Sequence, residues 1–324
     1  MLDKLKFDLI TKYRTLLVLL FICIIASFLS PVFLTTANFT NVARQTSMTA
    51  ILAAGMTFVI LTGGIDLSVG SVLALSGAVG AGVMATTGNI VVSVLVILLI
   101  GTFFGLVNGL LVTKFKMAPF IATLATMVVA RGVTMVYTKG YPIAIRHEVF
   151  RWFGRGQVLG MYIPIWITVC FFIIGYYVLQ HTRFGRYVFS TGGNEEATML
   201  SGINVEKVKI RVYMISGFLS AVAGLVLTAR LSSAQPTAGQ GMELDAIAAV
   251  ILGGTSPTGG VGTIGGTLIG ALILGVLNNI LNLMNVNPFY QDVVKGFVIV
   301  IAVVTDSKFK NLSLTMMNKK VSER

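Results

Sequence analysis

The sequence predicts an all-α polytopic membrane protein of about ten transmembrane helices, one of them a short partial helix, with both termini in the cytoplasm. Hydrophobic residues make up 55% of the 324 residues and charged residues 11%, against roughly one quarter charged in ordinary soluble domains. Apolar windows of about 20 residues, the length that crosses about 30 Å of hydrocarbon, recur along the chain. Basic residues fall in short blocks between these windows, which is the arrangement that orients a membrane protein.

The apolar windows divide the chain into three parts. A cytoplasmic N-terminus covers residues 1–14, a single transmembrane domain covers 15–305, and a basic cytoplasmic tail covers 306–324. The first apolar run follows a basic region without a convincing small-residue cleavage site, so we expect a retained span rather than a signal peptide. The predicted spans are 15–34, 46–63, 67–86, 90–112, 118–137, 164–180, 210–230, 243–254, 261–284 and 289–305.

The eighth predicted span, 243–254, is too short to cross lipid alone. We expect a partial helix there that is buried in protein, where irregular backbone is tolerated.

The net charge of +12 reflects the basic blocks and does not indicate a nucleic-acid partner. By the positive-inside rule all four blocks are cytoplasmic, including the one in the long loop 181–209. The loop 138–163, on the predicted outer side, is an exception to the rule, because it carries four basic residues against Glu148. The four cytoplasmic blocks contain Lys4, Lys6, Lys12 and Arg14; Lys114 and Lys116; Arg183, Arg186, Lys207, Lys209 and Arg211; and Lys308, Lys310, Lys319, Lys320 and Arg324.

Two predicted helices carry glycine at four-residue spacing, a pattern that lets helix backbones approach closely. Such stripes either pack helices within one subunit or form a seam between two copies of the chain. The stripes are Gly101, Gly105 and Gly109 in one helix, and Gly262, Gly266 and Gly270 in the other.

Asp66 is an ionisable residue between two predicted spans. Paired glycines precede it at residues 63–64, where they suit the left-handed end of a helix. Asp66 or Ser68 is then placed to cap the following helix. The alternative is that Asp66 lines a transport path, because an ionisable group in a membrane segment is a functional candidate.

The stretch "LNNILNLMNVN", residues 277–287, is the best sequence candidate for polar contacts to a sugar-like solute. Asn278, Asn282 and Asn285 follow i, i+4, i+7 spacing and share one face of a helix. An amide offers both a donor and an acceptor, which suits hydroxyl groups. The alternative is an outer helix end that is wetted by water.

The motifs of several enzyme classes are missing from the sequence. It contains no G-x-x-x-x-G-K-[ST] loop for ATP phosphates and no H-E-x-x-H pair, its two histidines being His147 and His181. Cys23 and Cys170 both lie in apolar runs and predict no disulfide. We therefore expect no cofactor in this chain, and any ATP to be handled by another polypeptide.

The stretch "TGGNEEATMLSGINV", residues 191–205, is unusually polar for this chain. The glycines before Asn194 predict a break, and Asn194 is a favourable N-cap with Glu195 and Glu196 in the first turn. Gly202 then ends a helix of about two turns, which is too short to be stable without packing. Its apolar strip would be formed by Ala197, Leu200 and Ile203. A cytoplasmic partner protein and an ordinary capped loop are both compatible with this pattern.

Glu196-Ala197-Thr198, three residues and Gly202 resemble the E-A-A-x-x-x-G cytoplasmic loop of ATP-binding-cassette importer permeases, with threonine in place of the second alanine. The stretches "GGIDLSVGS", "ATLATMVVARGVTMVYT", "TRFGRYVFSTGGNEEATMLSGINV", "ARLSSAQPTAGQGMELDAIAAVILGGTS" and "GTLIGALILGVLNN" are similar to those of the monosaccharide, ribose-type permeases of this class. The resemblance covers most of the chain and is weakest in the loop 138–163.

The resemblance implies a bacterial inner-membrane permease that pairs with a second copy of itself. It further implies a sugar-binding protein outside and an ATPase inside, which binds ATP and Mg²⁺ and receives the short helix in a cleft. The residues it assigns to ATPase coupling are Asn194, Glu195, Glu196, Ala197, Thr198, Leu200 and Gly202.

The first interpretation is thus the transmembrane subunit of an ATP-driven monosaccharide importer, with ribose as the expected sugar. An ion-coupled secondary sugar transporter is the alternative, and Asp66, Asp245 and Asp292 are its candidate carboxylates. A structural membrane subunit is a third interpretation.

Overall fold

The computed structural model describes residues 2–298 and 300, with the backbone alone described for 2–14. The basic tail 306–324 and the end of the last predicted span lie outside the described residues, as do the basic side chains before the first span. The first helices of the described chain are α1 (Leu2–Leu29), α2 (Thr36–Leu61), α3 (Val69–Thr87), α4 (Ile90–Thr113), α5 (Pro119–Thr138), α6 (Glu148–Arg155), α7 (Ile163–His181), α8 (Arg183–Gly193), α9 (Glu195–Leu200), α10 (Val205–Leu231), α11 (Met242–Leu252) and α12 (Ile264–Leu283). A last helical segment covers residues 288–298.

Within the described chain, six helices are long and apolar enough to cross a membrane: α3, α4, α5, α7, α10 and α12. Each coincides with a predicted span to within a few residues at either end. The all-helical, polytopic membrane class is therefore confirmed. The total of about ten spans and the cytoplasmic position of both termini stay predictions.

Helix α2 lies at the centre of the bundle and differs from its predicted span. It begins at Thr36 rather than at residue 46, and the Oγ1 of Thr35 caps it by accepting a hydrogen bond from the N–H of Asn38 at 3.3 Å. Its first turns are polar and therefore look like a loop in the sequence. Asn38 and Val42 are buried within these turns, and every residue from Ala50 to Leu61 is buried.

Helix α10 is the second central element, and it packs most extensively against α4 and then against α2 and α3. Helices α1, α4, α5 and α7 lie outside this centre and expose large apolar side chains, including Phe28, Leu99, Val136 and Ile173. Exposed apolar faces of this extent suit contact with lipid tails.

Both glycine stripes face other parts of the same chain. The sequence predicts the second stripe as three glycines on one helix, but Gly262 precedes α12 and lies against Thr255, so only Gly266 and Gly270 are helical. A Cβ atom built on Gly105 would lie 2.3 Å from the carbonyl oxygen of Tyr213, so α4 and α10 touch backbone to backbone. A Cβ atom on Gly266 would lie 2.1 Å from the carbonyl oxygen of Gly253, which joins α12 to the end of α11 in the same way. This geometry accounts for both stripes by packing within one subunit.

Helix α11 is a partial helix. Its eleven residues rise only about 17 Å, roughly half of the hydrocarbon thickness. It packs against α2 and α12 and is followed by Gly254, whose φ of 87° is left-handed. These contacts bury Ala246, Ala248, Ala249 and Val250 of the helix, whereas the irregular segment that follows it is exposed at Gly254 and Val261.

The predicted outer loop 138–163 contains secondary structure that the sequence analysis does not predict. It contains α6, whose Phe150 is fully buried, and strand β1 (Ile143–Ala144), which pairs antiparallel with β4 (Ser233–Ala234) after α10. Strands β2 (Gln157–Val158) and β3 (Met161–Tyr162) form a hairpin. Helix α6 has about two apolar side chains per turn and no long apolar run, so a search for membrane spans in the sequence does not find it. These elements cover one end of the bundle, which is called the predicted outer end below.

We expect Gly105→Leu and Gly266→Leu to reduce the thermal stability and yield of the solubilised protein. A larger side chain would clash with backbone atoms, which cannot move aside by a change of rotamer. The clash should lower the free energy of unfolding by about 1–3 kcal/mol or more. Gly132→Leu is the matched control, because no atom of the described residues lies within 4 Å of a Cβ at this helical glycine. Thermal midpoints in detergent measure the effect, and wild-type values for both test variants would contradict the close-packing role.

Candidate functional site

The motif at residues 191–205 folds into the end of α8, the six-residue helix α9 and the turn after it. The Oδ1 of Asn194 accepts a hydrogen bond from the N–H of Ala197 at 2.9 Å, which makes Asn194 the N-cap of α9. Glu195 and Glu196 lie in the first turn, where the helix dipole favours negative charge. After α9, Gly202 has a φ of 82°, a conformation in which a side chain would be strained.

Thr198, which stands where the resembling permeases have alanine, points into the protein. It is 4% exposed, and its Oγ1 donates a hydrogen bond to the carbonyl oxygen of Asn194 at 2.7 Å. The threonine thus reinforces the first turn of α9 from its buried side. Its hydroxyl is not on the surface that a partner would meet.

The apolar surface of α9 differs from the predicted strip. Leu200 is 80% exposed and Met199 is 60% exposed, whereas Ile203 packs against the hydrophobic core. The sequence places Ala197, Leu200 and Ile203 on one strip by helical spacing, but the chain leaves the helix after Leu200 and turns Ile203 inward. Met199 and Leu200 therefore form the exposed apolar tip, and the spacing argument misses Met199.

The predicted helix break at residues 192–194 is wrong in part, because α8 continues through both glycines. A Cβ atom on Gly192 would lie 1.8 Å from the carbonyl oxygen of Leu61, at the end of α2. The N–H of Gly260 donates to the same oxygen at 3.0 Å, and a Cβ on Gly259 would lie 3.1 Å from the Cα of Gly192. Leu61, Gly192, Gly259 and Gly260 thus form a backbone-to-backbone contact, called the glycine joint below.

An open pocket of about 1040 Å³ lies between α9 and the connection from α4 to α5. Two ion pairs lie at this surface, Lys114 with Glu206 at 2.5 Å and Lys209 with Glu195 at 2.6 Å. Exposed ion pairs of this kind contribute only about 0–1 kcal/mol to the stability of a protein, so these two pairs stabilise the fold little. The exposed tip of α9 stands beside this concave surface.

Asp66 lies in a buried hydrogen-bond network rather than at a cavity wall. Its Oδ1 accepts from the N–H of Ser68 at 3.0 Å and from the Oγ of Ser68 at 2.6 Å, and its Oδ2 accepts from the Oγ of Ser216 at 2.8 Å. Asn108 donates to the Oγ of Ser68 at 2.8 Å and accepts from Thr126 at 2.6 Å. The network ties the turn before α3 to α4, α5 and α10.

The capping prediction for this turn is partly wrong. Ser68 holds the N-cap position of α3, yet its side chain makes no capping hydrogen bond among the described residues. Asp66 instead binds the N–H of the cap residue itself. The signal in the sequence for the wider network is weak, because Asn108, Thr126 and Ser216 are isolated polar residues in three separate apolar runs.

The three asparagines chosen by spacing lie in three different environments. Asn278 lines a cavity of about 200 Å³ together with Thr46, Arg230 and Asp245. Asn282 is exposed, and its Oδ1 accepts from the Nε2 of Gln291 at 2.9 Å. Asn285 is also exposed and has a φ of 54°, because α12 ends at Leu283. The helical spacing therefore does not extend to Asn285.

Asn279, which the spacing argument passes over, is the buried member of this stretch. Its side-chain amide and that of Asn38 exchange two hydrogen bonds of 2.8 and 3.0 Å. Such a pair satisfies both amides inside an apolar bundle and joins α12 to the start of α2. Asn38 is the residue that allows α2 to begin before its apolar run.

Comparison with known proteins places most of the chain in one group. The model of the family described as branched-chain amino acid transport system / permease component matches residues 38–303. The ribose import permease protein of Escherichia coli K12 is 54% identical over 301 residues, which are 92% of this chain and 94% of the relative. That of Bacillus subtilis is 53% identical over 299 residues, 92% and 93% of the two chains. The L-arabinose transport system permease protein of E. coli K12 is 39% identical over 295 residues, 91% and 90% of the two chains. No solved structure matches the chain.

We expect Asp66→Ala to lower the thermal stability of the solubilised protein. The substitution leaves the buried donors of Ser68 and Ser216 without their acceptor, at about 1–3 kcal/mol for each unsatisfied group. Asp292→Ala is the control, because that carboxylate is 76% exposed and makes only a 3.6 Å ion pair with Lys295. A wild-type thermal midpoint for Asp66→Ala would contradict the structural role and favour the alternative, that Asp66 lines a path.

Proposed function

The chain belongs to the family described as branched-chain amino acid transport system / permease component, and we propose that it is the transmembrane permease subunit of an ATP-driven monosaccharide importer, with ribose as its sugar. In this proposal it is a multi-pass protein of the bacterial cytoplasmic membrane. It forms the sugar pathway and performs no catalysis itself.

One observation carries the proposal: identity of 52–54% to ribose import permeases over more than nine tenths of the chain. Identity to the L-arabinose permeases is lower, at 36–39% over a similar length. Both groups handle pentoses by name, which supports a monosaccharide, and the difference in identity favours ribose within it.

The proposed topology has both termini in the cytoplasm and about ten helices that enter the membrane. The six apolar spans, the central helix α2, the partial helix α11, the helix α1 and the segment 288–298 supply these elements. With this count α9 and the glycine joint face the cytoplasm, and α6 with the short strands faces outward.

We assign the contact with the ATPase to α9. It is a capped, exposed helix whose tip presents Met199 and Leu200, and apolar side chains this exposed suit a protein interface. Asn194 and Gly202 fix the two ends of the helix, and Glu195 pairs with Lys209 on its flank. ATP and Mg²⁺ would be held by the partner ATPase.

The remaining partners follow from the same proposal. A sugar-binding protein would dock at the predicted outer end, on the surface that α6 and the short strands build. A second copy of the chain would complete the permease, in contact through outer helices, because both glycine stripes are occupied by packing within the subunit.

The class of transporter is tested by uptake of ribose into vesicles that contain the chain, its ATPase and its sugar-binding protein. We expect uptake to stop when ATP is depleted and to survive an uncoupler that collapses ion gradients. Solubilised chain should also carry the ATPase with it on purification. Uptake that follows the ion gradient and ignores ATP would establish the secondary transporter instead.

We expect Leu200→Asp to abolish both the association with the ATPase and the stimulation of ATP hydrolysis by the loaded binding protein. A carboxylate at the tip of α9 would have to be desolvated without a partner in the interface. Leu200→Met is the matched control, since it keeps an apolar side chain of similar volume. Glu195→Ala should have a small effect, because one exposed first-turn carboxylate contributes about 0.3–1 kcal/mol.

The same assay with Gly202→Val tests the shape of the turn rather than the tip. Valine strains the left-handed backbone at Gly202, whereas Gly193→Ala places a Cβ where no atom of the described residues lies within 4 Å and the backbone is helical. Pull-down and ATPase rates in reconstituted vesicles are the measurements. If Leu200→Asp keeps the wild-type pull-down of the ATPase and the wild-type ATPase rate, α9 is an ordinary loop helix.

A further inference from the structure

A partly enclosed cavity with both polar and apolar lining lies between four helices near the predicted outer end of the bundle. It has a volume of about 200 Å³, room for roughly six waters at about 30 Å³ each or for one small polar solute. Its polar lining comes from α2, α10, α11 and α12. The residues that supply it are Gln45, Thr46, Thr49, Arg230, Asp245 and Asn278.

Two polar atoms in this wall are buried without a hydrogen-bond partner among the described residues, the Oγ1 of Thr46 and the Oδ1 of Asn278. Thr46 is only 5% exposed. Buried polar atoms in native proteins are nearly always satisfied, so unpartnered ones at a cavity indicate a ligand or water that completes them. Gly275 preserves this arrangement, because a Cβ there would lie 1.9 Å from the Oγ1 of Thr46.

The chemistry of the wall suits a neutral polyhydroxylated molecule. Thr46, Asn278 and Gln45 each offer donors and acceptors together, as hydroxyl groups require. The carboxylate of Asp245 is paired with Lys295 at 3.5 Å, and the guanidinium of Arg230 is the other charged group in the wall. The carboxylate would repel an anion, and the guanidinium would repel a cation.

The cavity shares one lining residue with a pocket at the predicted outer end. Arg230 lines it and also lines a more open pocket of about 490 Å³, together with Arg44, Arg155 and Tyr162. The guanidinium of Arg44 stacks over the ring of Tyr162 at 4.4 Å from its centroid. Arg230 therefore lies at the boundary between the two pockets.

We propose that this cavity is a monosaccharide-binding site on the import path, with Thr46 and Asn278 as hydrogen-bonding residues and Arg230 at its entrance. The proposal rests on the proposed function and adds to it the place where the sugar is held inside the permease. It also gives the partial helix α11 a role, because α11 supplies Asp245 to the wall.

The experiment compares Thr46→Val and Asn278→Leu in vesicles that contain the ATPase and the ribose-loaded binding protein. Both variants should keep stimulated ATP hydrolysis, since neither touches α9. Ribose uptake per ATP hydrolysed should fall about tenfold or more, the effect of losing hydrogen bonds to a bound sugar. Thr134→Val is the matched control, because this buried threonine donates to the carbonyl of Ala130 in its own helix, away from the cavity.

A second measurement needs no partner protein. Cysteine is placed at position 278 or at 282 in a chain whose Cys23 and Cys170 are replaced by alanine, and its alkylation rate is followed. Ribose should slow alkylation at 278 and leave the exposed position 282 unchanged. Unchanged uptake per ATP in both cavity variants, or equal labelling with and without ribose at 278, would overturn the site while the importer assignment stands. Ribose uptake by the wild-type chain that does not depend on ATP would overturn the importer assignment. The effect of ribose on alkylation at position 278 would then be the only test of the site.

Discussion

Direct contact between helix backbones is the constraint on which this structure depends. Lipid tails are as apolar as leucine side chains, so helices in a membrane gain little from burying apolar surface and must gain from close packing instead. Gly105 against Tyr213, Gly266 against Gly253 and Gly192 against Leu61 supply that closeness at three places in the bundle. Each contact involves a carbonyl oxygen, which cannot rotate away from a new side chain. The lack of a side chain at these glycines therefore determines how the helices are positioned as much as the packed side chains do.

One of these backbone contacts, at Leu61, makes α2 a connection between two regions of the molecule. Helix α2 places Leu61, at its end, in the glycine joint and Thr46, nearer its middle, in the wall of the cavity. Between them every residue from Ala50 to Leu61 is buried, so α2 has no freedom to bend into solvent. Helix α8 meets α2 without an intervening side chain, and α9 follows α8 after one residue. Helix α2 thus connects α8, which precedes the proposed ATPase contact, directly with the proposed sugar site.

The sequence predicts the class, the six apolar spans and the caps of α9 because each of these depends on local information. Twenty apolar residues are visible in a window, and Asn194 and Gly202 act on their own turn. It fails where a polar segment is stabilised by a distant partner. The start of α2 depends on Asn38 meeting Asn279, and α6 depends on Phe150 finding a pocket at the end of the bundle. No local pattern contains either partner.

The asparagines near the end of α12 show the same limit for the candidate site. Spacing alone makes Asn278, Asn282 and Asn285 equivalent, yet one lines a cavity, one pairs with Gln291 at the surface and one lies beyond the helix. What distinguishes Asn278 is its neighbourhood: α2 and α11 both reach it, and its Oδ1 is left without a partner in the described part of the chain. A polar residue in a membrane helix thus becomes a site only when several helices converge on it and leave it unsatisfied. Asn279, one position away, meets the first condition but not the second, and it serves packing.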